Sequence, residues 1–148
     1  MKTMARMPYQ WQAFAAVLLA SMAARAECTL QTLTPHGSEV RVAAAMVQLG
    51  DADNAASPAA WQGPLVAGAC TFDLGIIEPP LLLAQGKLLY VPSYSGSRRT
   101  LTLVDLNTCS VRWKSMAFSG RLTIGPRALQ LGGKRIALDA RCVPISEK

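Results

Sequence analysis

The sequence predicts a mainly β fold, a small antiparallel meander forming a sandwich or a partly open barrel. Three observations carry this expectation. From Pro80 onward, short apolar runs alternate with turn-forming residues at regular intervals. Gly132-Gly133 stands between two alternating segments, where a two-residue primed turn needs positive φ. Four cysteines, Cys28, Cys70, Cys109 and Cys142, stand far apart in the chain, the usage expected of sulfur bridges in an oxidising compartment.

Taken in chain order, the N-terminus reads as a secretory signal. Lys2 and Arg6 supply positive charge, the apolar stretch AFAAVLLA (13–20) follows, and Ala24-Arg25-Ala26 places small residues at the two positions read at cleavage. A membrane anchor needs about twenty apolar residues, and Gln12 and Arg25 bound this run too closely. Arg25-Ala26-Glu27 also lacks the small and aliphatic residues that precede a lipid-modified cysteine at Cys28. The expected organisation is therefore a signal peptide over 1–26 and a single disulfide-stabilised β domain over 27–148. Cleavage removes Lys2, Arg6 and Arg25 but no acid, leaving 12 of the 15 bases against 9 acids over 122 residues. That length suffices for one real core. The alanine- and arginine-rich signal points to a periplasmic or otherwise secreted protein, with no stable membrane span after cleavage.

The next segment is ambiguous. Ser38 before EVRVAAAMVQL suits a helix cap and the alanines favour a short helix near residues 39–49, yet Val40, Val42, Ala44 and Met46 alternate as in a strand. GDADNAASPAA (50–60) reads as a polar loop, and 61–74 regains strand character around Cys70. PLLLA, KLLYV, TLTLVD, CSVRWK, RLTI, ALQL and KRIALDARCV then read as strands. Gly132-Gly133 marks the clearest hairpin and Gln85-Gly86 a weaker one. SYSGSRRT (93–100) reads as a further hairpin loop, in which Ser95, Gly96 and Ser97 give adaptability.

The stretch TLTLVDLNTCSVRWKS resembles a blade repeat of the quinone-cofactor type of β-propeller, with a strand ending in Asp, a turn, and a next strand carrying Trp. It spans sixteen residues, with Cys109 where that repeat has a turn glycine. A propeller needs at least four blades of four strands, so the resemblance implies a strand-turn-strand unit and assigns neither family nor cofactor.

No CxxC is present, and the cysteine spacings are far from the pairs two to four apart of a zinc site. Two disulfides follow. Counted as strand positions, Cys109 is in phase with Val111 and Trp113, and Cys142 with Ala140, Leu138 and Ile136, which turns both sulfurs toward the core. This favours Cys109 with Cys142 and, by elimination, Cys28 with Cys70. A bridge tying the chain ends, Cys28 with Cys142, remains open.

Candidate catalytic groups are sparse. His36 is the only histidine and follows Thr34-Pro35 in a loop, with no serine marked out as its partner. Asp51 and Asp53 begin like a calcium loop, but Ala56 stands where its glycine belongs and the distal glutamate is missing. The carboxylates are too scattered to indicate a glycosidase pair. The expectation is a protein that is not an enzyme, with no cofactor and no metal.

Charge is distributed unevenly. Residues 27–78 hold six acids and one base, whereas 79–148 hold eleven bases and three acids. Strand phase puts Arg112 and Lys114 opposite the Cys109, Val111 and Trp113 face, with Arg121, Arg135 and Arg141 likewise turned outward. Such charges guard solvent-facing strands against unwanted pairing. They also suit a docking patch, in which Arg98 and Arg99 offer bidentate contacts and Tyr94 a rigid aromatic anchor. The partner-binding set is then Tyr94, Arg98, Arg99, Arg112 and Lys114. It faces an acidic protein or an anionic envelope component, and not nucleic acid, for which no base-stacking motif is present. The functional expectation is an exported binding protein of the inhibitor or immunity type acting in the periplasm. The alternative is an accessory or structural component of a bacterial envelope assembly.

Overall fold

The computed structural model describes residues 27–145, so the expected signal peptide, 1–26, lies outside the described residues. All regular structure within this range is antiparallel β. The strands are β1 (Leu30–Leu33), β2 (Glu39–Val42), β3 (Ala45–Gln48), β4 (Asp51–Ala52), β5 (Trp61–Gln62), β6 (Leu65–Ala67), β7 (Cys70–Phe72) and β8 (Ile76–Ile77). They are followed by β9 (Leu81–Ala84), β10 (Leu88–Ser95), β11 (Arg98–Asp105), β12 (Ser110–Lys114), β13 (Leu122–Gly125), β14 (Ala128–Leu131) and β15 (Lys134–Ala137).

The apolar runs read from the sequence form the middle of an eight-stranded sheet. β10 pairs with β11 along its whole length on one edge, and with β9 and then β8 on the other. β1 extends the sheet beyond β9, β5 and β4 extend it beyond β8, and β12 extends it beyond β11. β9, β10 and β11 are buried on both faces along most of their length, which explains why they read as continuous apolar runs and not as alternating ones. Leu81, Leu83, Leu89, Val91 and Val104 enter one core with Val40, Val47, Leu65 and Phe72 of a four-stranded sheet ordered β2-β3-β6-β7. The intervening Leu82, Leu88, Tyr90, Leu101 and Leu103 enter a second core with Leu129 and Leu131 of a three-stranded sheet, β13-β14-β15. The sandwich thus has a central layer and two outer ones, and no sheet closes into a barrel.

Residues 39–49 resolve as a hairpin and not a helix. β2 and β3 pair from Glu39–Gln48 to Val42–Ala45, and Ala43 takes a φ of 53° in the turn. Burial of Val40, Val42 and Val47 on one face outweighs alanine's helix preference, as tertiary packing commonly does. The other turns follow the sequence reading. Gly132-Gly133 joins β14 to β15 with Gly132 at φ 58°, and Gln85 and Gly86 both turn with positive φ after β9. SYSGSRRT is a hairpin as expected, but pairing continues to Ser95–Arg98. Its loop is only Gly96 and Ser97, a tight turn with little room to adapt.

The bridges join Cys28 to Cys142 and Cys70 to Cys109, so the favoured pairing of Cys109 with Cys142 and Cys28 with Cys70 is incorrect and the open alternative holds. Neither Cys109 nor Cys142 is a strand residue. β11 ends at Asp105, whose Oδ1 accepts N–H bonds from Asn107 (2.9 Å) and Thr108 (3.2 Å), and Cys109 closes the turn at φ 53°. β15 ends at Ala137. The Asp139 Oδ1 then accepts from the N–H groups of Arg141 (2.8 Å) and Val143 (2.9 Å), and Cys142 lies at φ 63°. Each aspartate builds a side-chain turn, and strand phase does not carry through a turn. Cys109 is accordingly exposed and Ala140 points to solvent, while Cys142 is buried. Each bridge staples an outer layer to the central sheet. Cys70 in β7 meets the β11–β12 turn, and Cys142 beyond β15 meets the residue pair that leads into β1.

Candidate functional site

The expected contact residues do not converge at the β10–β11 turn. Tyr94 lies cross-strand from Arg99 and is half-buried against a cavity of about 250 Å³ that Asp51 and Trp61 also line. Arg99 turns to Glu78, with Nε 2.5 Å from Oε1. Arg98 is exposed and meets no carboxylate among the described residues. One arginine of the pair is thus committed within the chain, and only Arg98 presents a free head group at the turn.

Arg112 and Lys114 are also separated, because the ladder shifts between them. Trp113 pairs with Leu103 but Val111 pairs with Val104, so Arg112 is an inserted residue, a β-bulge. Val111 and Trp113 therefore sit opposite neighbouring residues of β11 that face different cores, and the single basic sheet face expected from strict alternation does not form. Arg112 reaches back to Asp105, Nη1 to Oδ2 3.5 Å. Burial pushes the Asp105 carboxyl up, but the N–H groups of Asn107 and Thr108, helped by the cations Lys87 and Arg112, bring it below its ordinary value. Lys114 lies beyond the bulge and borders a different feature.

That feature is a cleft of about 430 Å³ between the end of β12 and the β14–β15 hairpin. Its formation is local. The Ser115 N–H donates to the Leu101 carbonyl at 2.9 Å, but the return bond from Leu101 N–H goes to Ser115 Oγ and not to a carbonyl. The hydroxyl thereby ends the regular ladder, which is regained where Arg99 and Phe118 exchange N–H···O bonds of 3.2 and 2.9 Å. Met116, between these two anchor points, is 83% exposed. Trp113, Ile136 and Ile145 continue the apolar lining, Ile145 being 55% exposed, while Lys114, Lys134 and Arg135 are the charged lining residues. Among the described residues, no acid lines the cleft.

Phe118 forms a shared wall. On its other side lies a cavity of about 380 Å³ bordered by Pro79, Pro80, Pro92, Arg99, Arg121 and the carboxylate of Glu78. Among the described residues, the two hollows together bring five cations of the basic half around an apolar floor, against one acid. Contiguous exposed apolar surface rimmed by polar groups is a common mark of an interaction site. Of the expected set, Lys114 and Arg99 lie at these hollows, whereas Tyr94, Arg98 and Arg112 lie elsewhere. Met116, Phe118, Lys134 and Ile145 were not singled out from the sequence. The apolar members of KSMAF carry no strand or helix period that separates them from core residues. His36 is exposed in the turn before β2, and the Asp53 Oδ1 caps the N–H groups of Ala59 (2.9 Å) and Ala60 (3.2 Å), holding its carboxyl below the ordinary value. No protein-family model matches the chain, and a search of curated proteins finds no match to it.

Proposed function

We propose that this is an exported, non-catalytic binding protein of the inhibitor or immunity type, which docks an acidic partner protein in the periplasm. The observation that carries this reading is the pair of hollows on either side of Phe118, where Lys114, Arg121 and Arg135 surround exposed apolar side chains. Hydrophobic floors supply binding energy and rim charges supply selectivity and encounter rate. The two disulfides fit an oxidising extracellular or periplasmic environment, and the signal read at residues 1–26 supports export. Rigid stapling of the layers also suits a module that binds without rearranging.

The test is quantitative capture from an envelope extract on the immobilised, oxidised chain, comparing wild type with Lys114→Glu/Arg135→Glu. An acidic protein retained by wild type and lost at least tenfold by the variant supports the reading. Suppression of that partner's hydrolytic activity assigns inhibition, and membership of a multi-subunit envelope machine assigns the accessory role instead. Equal retention by both proteins, or retention of anionic envelope polymer alone, overturns it.

A further inference from the structure

We infer that the cleft beside β12 receives an extended acidic segment of the partner, added as a further strand to the free edge of β12. This rests on the binding reading above and deepens it by specifying the form of the partner. The first support is the way the cleft is lined. Consecutive residues border it, 113–118 on one side and 134–137 on another. Successive side chains of a strand point to opposite faces, so a hollow over one sheet face is bordered by every second residue. Here Trp113 and Lys114, the last two residues of β12, and all four residues of β15 border the hollow, which places it along those two strand edges, while 115–117 form the irregular segment that follows β12.

The second support is pairing. Among the described residues, β12 pairs only with β11 and β15 only with β14, so the outer edges of both have no ladder partner beside the cleft. Leu138 and Pro144 bridge just past β15, and the Ile145 N–H donates to the Ala137 carbonyl, which leaves the end of β15 covered and β12 the more open edge. An unpaired edge is a ready template for an added strand.

Charge and size specify the occupant. Lys114 and Arg135 stand on the two walls with no acid between them among the described residues, which favours a segment carrying carboxylates and opposes self-pairing of two copies through Lys114. A volume of about 430 Å³ accommodates a few side chains and not a folded surface. Trp113, Met116 and Ile136 offer apolar seats, and methionine at such a place adapts to differing side chains. The segment therefore alternates acidic and apolar residues, one set toward the cations and the other toward the cleft floor.

A blocked ten-residue peptide of alternating glutamate and valine is the direct probe, titrated against the oxidised chain by fluorescence anisotropy. The expected result is binding at least tenfold tighter than that of a lysine–valine peptide, and at least tenfold weakening by Lys114→Glu/Arg135→Glu. Both substituted side chains are exposed, and unchanged near-UV circular dichroism verifies folding of the variant. N-methylation of alternate peptide amides should abolish binding for one phase of the alternation and spare the other, because an added strand pairs through every second residue. Equal tolerance of both N-methylated phases, with charge preference kept, overturns strand addition and leaves the acidic-partner reading standing. Absence of charge preference overturns both. No binding at millimolar peptide overturns the strand mode alone, the capture comparison then deciding the broader reading.

Discussion

Tyr90 shows how one side chain fixes a layer. It is fully buried in the second core, and its hydroxyl donates to the Cys142 carbonyl at 2.5 Å, tying the centre of β10 to the chain beyond β15. Burial, with the nearby negative charge of Asp139, pushes its ionisation well above the ordinary tyrosine range. Because the folded state favours the un-ionised phenol, this contribution is present below the unfolded value near about 10 and is lost as pH rises toward the folded value. Tyr90→Phe is expected to cost about 1–3 kcal/mol by leaving a buried carbonyl without its donor, and to remove part of the alkaline loss of stability. Urea unfolding at neutral and alkaline pH checks both. Asp105 has the opposite sign. Its lowered carboxyl contributes stability above the unfolded value near about 4, which fades as pH falls through the folded value. Asp105→Asn should therefore be less stable than wild type at neutral pH and show a flatter acid limb in a urea midpoint series. The aspartates of these turns were visible in the sequence, but the Arg112 bulge was not. A single inserted residue reverses every later phase assignment on its strand.

At the scale of elements, the Gly132-Gly133 turn offers an internal control. Gly132 lies at φ 58° and a Cβ there would collide with the Ser119 carbonyl, whereas Gly133 has open space around the same position and no positive φ. Gly132→Ala should destabilise by more than 1 kcal/mol, and Gly133→Ala should be neutral or stabilise by up to about 1 kcal/mol through the unfolded chain. Thermal melts of the two variants separate these outcomes. The disulfides make a second test. With sequence separations of 39 and 114 residues, removal of Cys70–Cys109 should cost about 4 kcal/mol and of Cys28–Cys142 about 5 kcal/mol where loop entropy dominates. Peptide mapping without reduction should recover those two linkages. The hairpins were legible because their turn residues have a conformational reason to be there. The cysteine pairing was not, because counting along a strand gives no direction once the chain has turned. The central layer was half legible: the runs LLLA, LLYVP and LTLV leave no polar face, which already calls for cover on both sides. The N- and C-terminal strands that supply that cover come from separate parts of the chain.

For the whole molecule, the charge asymmetry of the sequence does not become a division between layers. The acidic half supplies the four-stranded sheet, whose strands carry only Glu39 and Arg41 as charged residues, together with β1, β4, β5 and β8 of the central sheet, whereas the basic half supplies β9 to β12 and the three-stranded sheet. That a basic surface exists follows from composition. That Lys114 meets Arg135 and Met116 at one cleft follows from packing of β12 against the β14–β15 hairpin, a contact between segments with no sequence mark of their own. Association through this surface should weaken as ionic strength rises, because the rim charges are solvent-exposed and screened over about 8 Å at physiological salt. Docking of the proposed partner at the cationic, apolar cleft beside β12 has a residue-resolved test. Backbone amide resonances of the oxidised, isotope-labelled chain are followed during titration with the glutamate–valine peptide. Saturable shifts concentrated at 111–118 and 134–137 are the expected result, and saturable shifts confined to 94–99 would contradict it.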